Sequence, residues 1–425
     1  MAASDTTDTF SDRFQTAVAR EPFAGRRVVV ALSGGLDSTL LLHAFRRANV
    51  AAPLVAMHVD HGLHADSADW SAHCAELADS LGVALTTRKL ELEPQPGQSV
   101  EAVAREARYR VFAESLGPGD VLVTAHHADD QLETVLLRML RGTGVRGLTA
   151  IHALGRLGDG WLARPLLPFT RAELEAEARR RGLRWLEDPT NVDTRFDRNF
   201  LRADVLPALR ERWPKAGVMA SRLALQMTEA ETVLDEIAAA DLGAAESLDR
   251  IPLALLTSLS DSRLNNALRH AVRGAGLPVP SRAQLAELRQ ALAAREDASV
   301  LVSWPGAEAR IFRQTLYLGL PRAEAPPPAG RIDADSTYSF AEGELRLVVA
   351  EDYGIPDRWA RDGLEVGFRQ GGERFRPEGS AQHKTLKKWC QERGIVPWMR
   401  GLLPLLFHDD ELIAVADLCL ASDVP

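Results

Sequence analysis

Six consecutive residues, Ser33-Gly34-Gly35-Leu36-Asp37-Ser38, have the types and order needed to cradle a phosphate chain. Two adjacent glycines let the backbone turn tightly, so that successive N–H groups and the start of a helix face one anion. Ser33 and Ser38 add hydroxyl donors. Asp37 suits either the positive end of a helix or a Mg²⁺ ion held beside phosphates. The G-x-x-x-x-G-K-[ST] pattern is absent and no lysine is near, so the usual grip on a γ-phosphate is missing. Such a loop suits pyrophosphate as a leaving group, with attack on the α-phosphorus.

A second set combines imidazoles and carboxylates. His58-Val59-Asp60-His61-Gly62-Leu63-His64 follows one apolar run, and His126-His127-Ala128-Asp129-Asp130-Gln131-Leu132-Glu133-Thr134 follows another. Asp130 and Glu133 at i, i+3, and Asp129 and Glu133 at i, i+4, share a helix face. Three readings stand: a transition-metal site, polar capping of helix starts, or a nucleotide and amine site in which carboxylates serve Mg²⁺ or an ammonium. Further on, Glu187-Asp188-Pro189-Thr190-Asn191 is an acidic turn, followed by Arg198-Asn199-Phe200-Leu201-Arg202. Arg198 and Arg202 lie one helical turn apart, either in a salt-bridged surface or as a phosphate or base clamp. Gly142-Thr143-Gly144-Val145-Arg146-Gly147 matches G-x-G-x-x-G but follows a helical pattern, so the dinucleotide reading fails its context.

The elements that must hold these loops are short apolar strands alternating with helices. Residues 27–32 (RVVVAL), 54–59, 83–90 and 120–125 (DVLVTA) read as strands. Residues 40–47, 67–81, 101–115 and 131–141 read as helices. This alternation predicts an α/β, doubly wound, mostly parallel sheet, with ligands collecting at the carboxyl ends of its strands. From about Pro214 the pattern becomes mainly helical (218–240, 253–271 and 281–294, the last capped by Ser281), closed by strands at 300–304 and 311–318. Residues 321–330 (PRAEAPPPAG) read as a stiff linker. Beyond it lies a small α+β unit with a helix at 385–393 and a hairpin at 403–416. The expected domains are 1–214, 215–320 and 331–425.

A length of 425 residues with 46% hydrophobic and 26% charged residues is ordinary globular composition, excluding a disordered or fibrous protein. No run approaches the ~18 apolar residues of a membrane span. The first 25 residues lack a secretory pattern, and Cys74, Cys390 and Cys419 lack C-x-x-C spacing. A cytoplasmic location, no membrane and no chemically required cysteine are therefore expected. The net charge of −9 hides local bias: fifteen arginines face ten acids between 138 and 212, and three of the five lysines (Lys384, Lys387, Lys388) fall within five residues.

Together these segments resemble the tRNA(Ile)-lysidine synthase family of the pyrophosphate-loop ATPase superfamily. The resemblance rests on SGGLDS, HVDHGLH, AREARYRVF, HHADDQLET, the RGTG loop, RPLL, EDPTN and RNFLR. GGERFRP, KTLKKW and VPWMR match in the C-terminal part. His64 stands where relatives usually carry Arg or Gln. The resemblance implies an adenine nucleotide alpha hydrolase-like N-terminal domain and ligation of free L-lysine to C2 of the wobble cytidine in the CAU anticodon of tRNA(Ile). ATP would adenylate the C2 oxygen, releasing pyrophosphate, and the lysine ε-amine would then displace AMP. A homodimer is compatible with this reading.

On that basis the ATP-binding residues are expected to be Ser33, Gly34, Gly35, Leu36, Asp37, Ser38, His58, Asp60 and His126, with Asp37 toward Mg²⁺. Asp129, Asp130 and Glu133 are expected to hold lysine. The catalytic set is Asp37, Asp130, Glu133 and Arg202. Contacts to tRNA are expected from Arg105, Arg108, Arg198, Asn199, Arg202, Arg374, Lys384, Lys387, Lys388 and Arg393. The chemistry fits independently. A urea-like oxygen is a poor leaving group without adenylation, and an amine of solution pKa ~10.4 must lose a proton before it attacks. The competing readings are another pyrophosphate-loop tRNA-modifying enzyme such as a thiolase, a metal-dependent phosphohydrolase, and a non-catalytic tRNA-binding module.

Overall fold

A computed structural model of the chain describes residues 9–19, 22–48, 53–62, 67–90, 92, 100–187, 197–292, 300–322, 326–341, 343–349 and 354–424. His64, residues 188–191 of the acidic turn and residues 323–325 of the linker lie outside these. The chain forms two compact units, residues 1–234 and 235–425.

In the first unit, α1 (Thr9–Val18) precedes β1 (Val28–Ala31), α2 (Leu36–Ala48), β2 (Leu54–Asp60), α3 (Ser67–Ser80), β3 (Ala84–Lys89), α4 (Val100–Ser115) and β4 (Val121–Val123). There follow α5 (Ala128–Leu140), α6 (Val145–Leu148), β5 (Leu154–Leu157), β6 (Gly160–Ala163), α7 (Arg171–Arg180), α8 (Asp197–Phe200), a π turn (Leu201–Val205), α9 (Leu206–Arg212) and the start of α10 (Ala216–Leu242). The sheet order is β3-β2-β1-β4-β6-β5, parallel except for β5. The expected doubly wound fold is present. Its strand order reverses beside β1, with β2 on one side and β4 on the other. That opens a crevice at their carboxyl ends, the place where such sheets bind ligands.

Apolar β1 (VVVA) is buried because helices cover both faces of a parallel sheet. Leu40, Leu41 and Leu42 of α2 are buried with Phe14, Phe45, Leu166, Phe169 and Leu174, so the middle of α2 is packed into the core. The phosphate-loop segment that opens this helix is thereby fixed against a rigid core. The β5–β6 hairpin and α7 were not anticipated from the sequence.

In the second unit, β7 (Arg250–Pro252), α11 (Leu253–Thr257), α12 (Asp261–Gly274), α13 (Arg282–Leu292), β8 (Val300–Trp304), β9 (Ala307–Phe312) and β10 (Thr315–Gly319) form a helical layer on an antiparallel sheet. Two expectations are corrected here. The helix over 253–271 is two helices, because Ser260 takes an extended conformation (ψ 156°) as N-cap of α12. The strand over 311–318 is a hairpin, because Arg313 and Gln314 both adopt positive φ (46° and 59°). Next come β11 (Gly330–Ile332), β12 (Thr337–Phe340), β13 (Gly343–Arg346), α14 (Asp357–Asp362), β14 (Leu364–Gly367), β15 (Arg374–Phe375), β16 (Lys384–Thr385) and α15 (Leu386–Glu392). The hairpin of β17 (Leu405–His408) and β18 (Glu411–Val415), then β19 (Cys419–Leu420), complete the sheet β11-β14-β17-β18-β19. Among the described residues, no helix is long and apolar enough to cross a membrane.

Candidate active site

The 33–38 loop leaves β1 at the crevice and enters α2. Gly34 has φ +80°, and a Cβ there would come within 3.2 Å of Cys74 Sγ and Leu186 Cδ1. The Ser33 N–H donates to Ser38 Oγ (3.1 Å), Ser38 Oγ donates to the Gly35 carbonyl (3.1 Å), and the Ser33 and Ser38 hydroxyls lie 3.0 Å apart. The Leu186 N–H donates to the Gly34 carbonyl (2.9 Å), anchoring the loop from outside. Below it, His58 Nδ1 lies 2.9 Å from the Leu32 carbonyl and 3.5 Å from Cys74 Sγ. Burial pushes the Cys74 thiol up to about 12, so it is an inert packing group.

Across the crevice, His127 is the N-cap of α5. Its Nδ1 accepts from the Asp129 N–H (3.3 Å), while Asp130 Oδ2 accepts from the His127 N–H (3.0 Å), a reciprocal capping box. The ring stands among three carboxylates: Nε2 is 3.8 Å from Asp37 and 3.6 Å from Asp130, and Nδ1 is 3.6 Å from Asp129. The phosphate loop and the second constellation thus meet at one imidazole. His127 was not among the expected site residues.

Each carboxylate also has an arginine. Asp37 pairs with Arg171, whose backbone N–H donates to Asp129 Oδ2 (2.6 Å). Asp129 Oδ1 receives Arg210 (2.7 Å). Glu133, only 1% exposed, receives Arg198 Nε (2.7 Å) and Arg202 Nε (2.6 Å), and the Nη2 atoms of both reach Asp130 Oδ1 (3.3 and 2.9 Å). Burial pushes the Asp130 carboxyl up, but His127, His126, Arg198 and Arg202 outweigh it and hold the group well below the carboxylate range. At Asp37 burial wins over His127 and Arg171, and its pKa is raised. Burial lowers the Arg202 guanidinium, and its contacts with Glu133 and Asp130 more than restore it.

Among the described residues, Asp37 Oδ1 is buried and finds no hydrogen-bond donor. One orphaned carboxylate oxygen beside a phosphate loop fits Mg²⁺, which takes one or two carboxylates and leaves the remaining positions to phosphates and water. Among the described residues, no group of three His, Cys, Asp or Glu side chains is arranged to hold a metal.

The other expected residues fall into four places. Asp60 ends β2, its Oδ1 accepting from the Gly62 N–H (2.8 Å). His126 Nδ1 lies 2.8 Å from the Thr124 hydroxyl. Burial, assisted by Arg164, Arg105 and Arg198 and opposed by Asp130, pushes the imidazole down to about 3. Arg105 and Arg108 lie over the Tyr109 ring at 5.1 and 5.9 Å. Asn199 is on α8. Arg374, Lys384, Lys387, Lys388 and Arg393 belong to the second unit. Arg164, Arg171 and Arg210 escaped sequence reasoning, although RPLL and the Thr170 capping box of α7 were visible signals for the first two.

A PP-loop domain profile matches residues 6–209, a TilS substrate binding domain profile residues 251–317, and a TilS substrate C-terminal domain profile residues 364–424. A tRNA(Ile)-lysidine synthase of Alkalilimnicola ehrlichii is 40% identical over 401 residues, covering 92% of this chain and 90% of the relative. The chain belongs to the tRNA(Ile)-lysidine synthase family. Synthases of Coxiella burnetii (38% over 406 residues; 92% and 89% covered) and Pseudomonas syringae pv. tomato (41% over 405 residues; 92% and 88% covered) are similarly related. This member of the tRNA(Ile)-lysidine synthase family is therefore an ATP-dependent ligase, and its PP-loop match contains every residue of the His127 cluster except Arg210, which lies one position beyond it. In its C-terminal match, Leu386, Trp389 and Cys390 form the buried stripe expected of α15. Lys387 and Lys388 are exposed, while Lys384 pairs with Glu392 (2.7 Å). Arg374, Gln382, Lys384 and Lys388 line a cleft there.

Proposed function

We propose that this enzyme forms lysidine at the crevice between the ends of β1 and β4, in two displacements. In the first, the C2 oxygen of the wobble cytidine attacks the α-phosphorus of ATP and pyrophosphate departs. In the second, the lysine ε-nitrogen attacks C2 and AMP departs with the former C2 oxygen. The single observation carrying this reading is the convergence of the 33–38 loop and the α5 carboxylates on His127. A loop with N–H and hydroxyl donors suits a departing pyrophosphate, and an amine needs carboxylates at hand.

ATP contacts are assigned to Ser33, Gly34, Gly35, Leu36, Asp37, Ser38, His58, Asp60 and His126. Asp37 would hold Mg²⁺, which when bound neutralises charge on the phosphates. The corner of Asp129, Asp130 and Glu133 takes the lysine ammonium, and Arg105, Arg108, Arg198, Asn199 and Arg202 face the tRNA. We assign the work to three parts (1–214, 215–320 and 331–425), in the cytoplasm, with a homodimer permitted. The expected products are AMP and pyrophosphate, with lysidine found by mass analysis of the tRNA nucleosides. Release of ADP and inorganic phosphate in a tRNA-dependent manner would reject the reading.

The basic cluster of the last part, together with Arg374 and Arg393, is assigned to tRNA phosphates. A Lys387→Ala, Lys388→Ala double variant should raise KM for tRNA and lower the salt slope of tRNA binding by about 1 for each phosphate no longer neutralised. KM for ATP and lysine should hardly change. A folded double variant with wild-type tRNA affinity and salt slope would make this cluster ordinary surface.

A further inference from the structure

The carboxylate corner assigned to the lysine ammonium is already filled. Glu133 gives one oxygen to Arg198 and the other to Arg202, Asp130 Oδ1 accepts from both guanidiniums, and Asp130 Oδ2 accepts from the His127 N–H. Asp129, the third member, gives one oxygen to Arg210 and the other to the Arg171 N–H. Three carboxylates thus face three guanidiniums, and an incoming ammonium would find every oxygen engaged and add an unmatched positive charge in a site where Glu133 is almost wholly buried.

The segment carrying these arginines has an irregular register. The Leu206 N–H donates to the Leu201 carbonyl, an i→i+5 bond that makes a π turn of residues 201–205, with Arg202 inside it. Such turns hold one extra residue and recur at functional sites. Converting this turn to α geometry would rotate α8 by roughly 100° relative to α9, the angle of one helical residue. α9 is fixed by buried Leu206 and by Arg210 on Asp129, so the rotation would fall on Arg198.

We infer that Arg198 and Arg202 form an autoinhibitory contact, standing in for the substrate ammonium in the free enzyme and leaving Asp130 and Glu133 when an anion in the crevice claims them. This rests on the reading that Asp130 and Glu133 receive lysine. A guanidinium and an alkylammonium compete for the same oxygens, whereas a phosphate prefers the guanidinium fork. The nucleotide loop is close enough to make that exchange: Asp37, His127 and Asp130 are successive contacts across the crevice. Lysine would then enter a site opened by the nucleotide or by the tRNA backbone, and an enzyme lacking both would not hold it.

The test is equilibrium dialysis of labelled lysine against the full-length protein without ATP or tRNA, with thermal melts as the folding control. Wild type should bind weakly. Arg202→Met and Arg198→Met, which keep volume and lose charge, should each bind lysine about tenfold more tightly or better, the scale of one charged hydrogen bond. Lysine should also raise their Tm more than that of wild type. Arg202→Lys should stay as weak as wild type, because its own ammonium can take the corner. Adding Glu133→Gln to Arg202→Met should cancel the gain. If folded Arg→Met variants bind lysine no better than wild type while Glu133→Gln weakens binding, the contact is not inhibitory but the lysine site stands. If Glu133→Gln changes lysine binding in neither background, the lysine assignment itself is wrong and the inhibitory contact falls with it.

Discussion

Gly34→Val should abolish tRNA-dependent release of pyrophosphate, by about 10³-fold or more, while leaving tRNA binding near wild type. Two costs act together. Gly34 sits at φ +80°, which a β-branched residue adopts only with strain. Its Cβ would also press to 3.2 Å on Cys74 Sγ and Leu186 Cδ1 and to 3.4 Å on His73 Cδ2. Leu186 and His73 are half-buried and can yield, but Cys74 is fully buried and no neighbour relieves the φ strain, so the loop itself must shift. The loop would move its N–H groups off the pyrophosphate, and one misplaced donor of this kind typically costs about 10²–10³ in rate. Pyrophosphate release and filter binding of tRNA, measured on the same folded sample, check both halves. Near-normal release would mean that the loop does not hold the phosphates.

What the sequence made legible was local. A β-branched run, two glycines and an apolar helix predict β1, its turn and α2, because each choice agrees with its neighbours. The start of α5 was likewise readable from His127 to Asp130. The hairpin between β9 and β10 was not, since its turn places Arg313 and Gln314 at positive φ, where asparagine and glycine are the usual signal. The arginine partners were hidden for a different reason. Arg171 and Asp37 are 134 residues apart, and Arg202 and Glu133 are 69 apart, so no spacing rule connects them. The choice between His126 and His127 was also out of reach. Successive residues of extended backbone point to opposite sides, and only the tertiary structure shows that His127 stands beside Asp37 while His126 Nδ1 meets the Thr124 hydroxyl.

Asp37→Asn should cost activity about 10²–10³-fold and yet leave the metal-free protein as stable as wild type or more so. The argument starts from the burial that raises the Asp37 carboxyl above its ordinary pKa despite the opposing charges of His127 and Arg171. A carboxyl with a raised folded pKa binds protons more readily in the native state than in the unfolded one. Stability contributed by the protonated form is therefore lost as pH rises from the ordinary carboxylate range through the raised value. At neutral pH the ionised side chain is a net burden. Asparagine has the same shape, can still accept from Arg171 and carries no such burden, so each kcal/mol relieved should raise Tm by about 2–4 °C. Activity moves the other way, because the orphaned Oδ1 is a buried carboxylate oxygen suited to a cation beside the phosphate loop. The variant should need more Mg²⁺ for half-maximal pyrophosphate release, with KM for lysine little changed. Melting in EDTA across a pH series should show the gain growing as pH rises through the raised carboxyl value and vanishing below the ordinary carboxylate range. A variant that melts lower than wild type throughout the series, or keeps the wild-type Mg²⁺ requirement, would show that Asp37 serves only to hold Arg171.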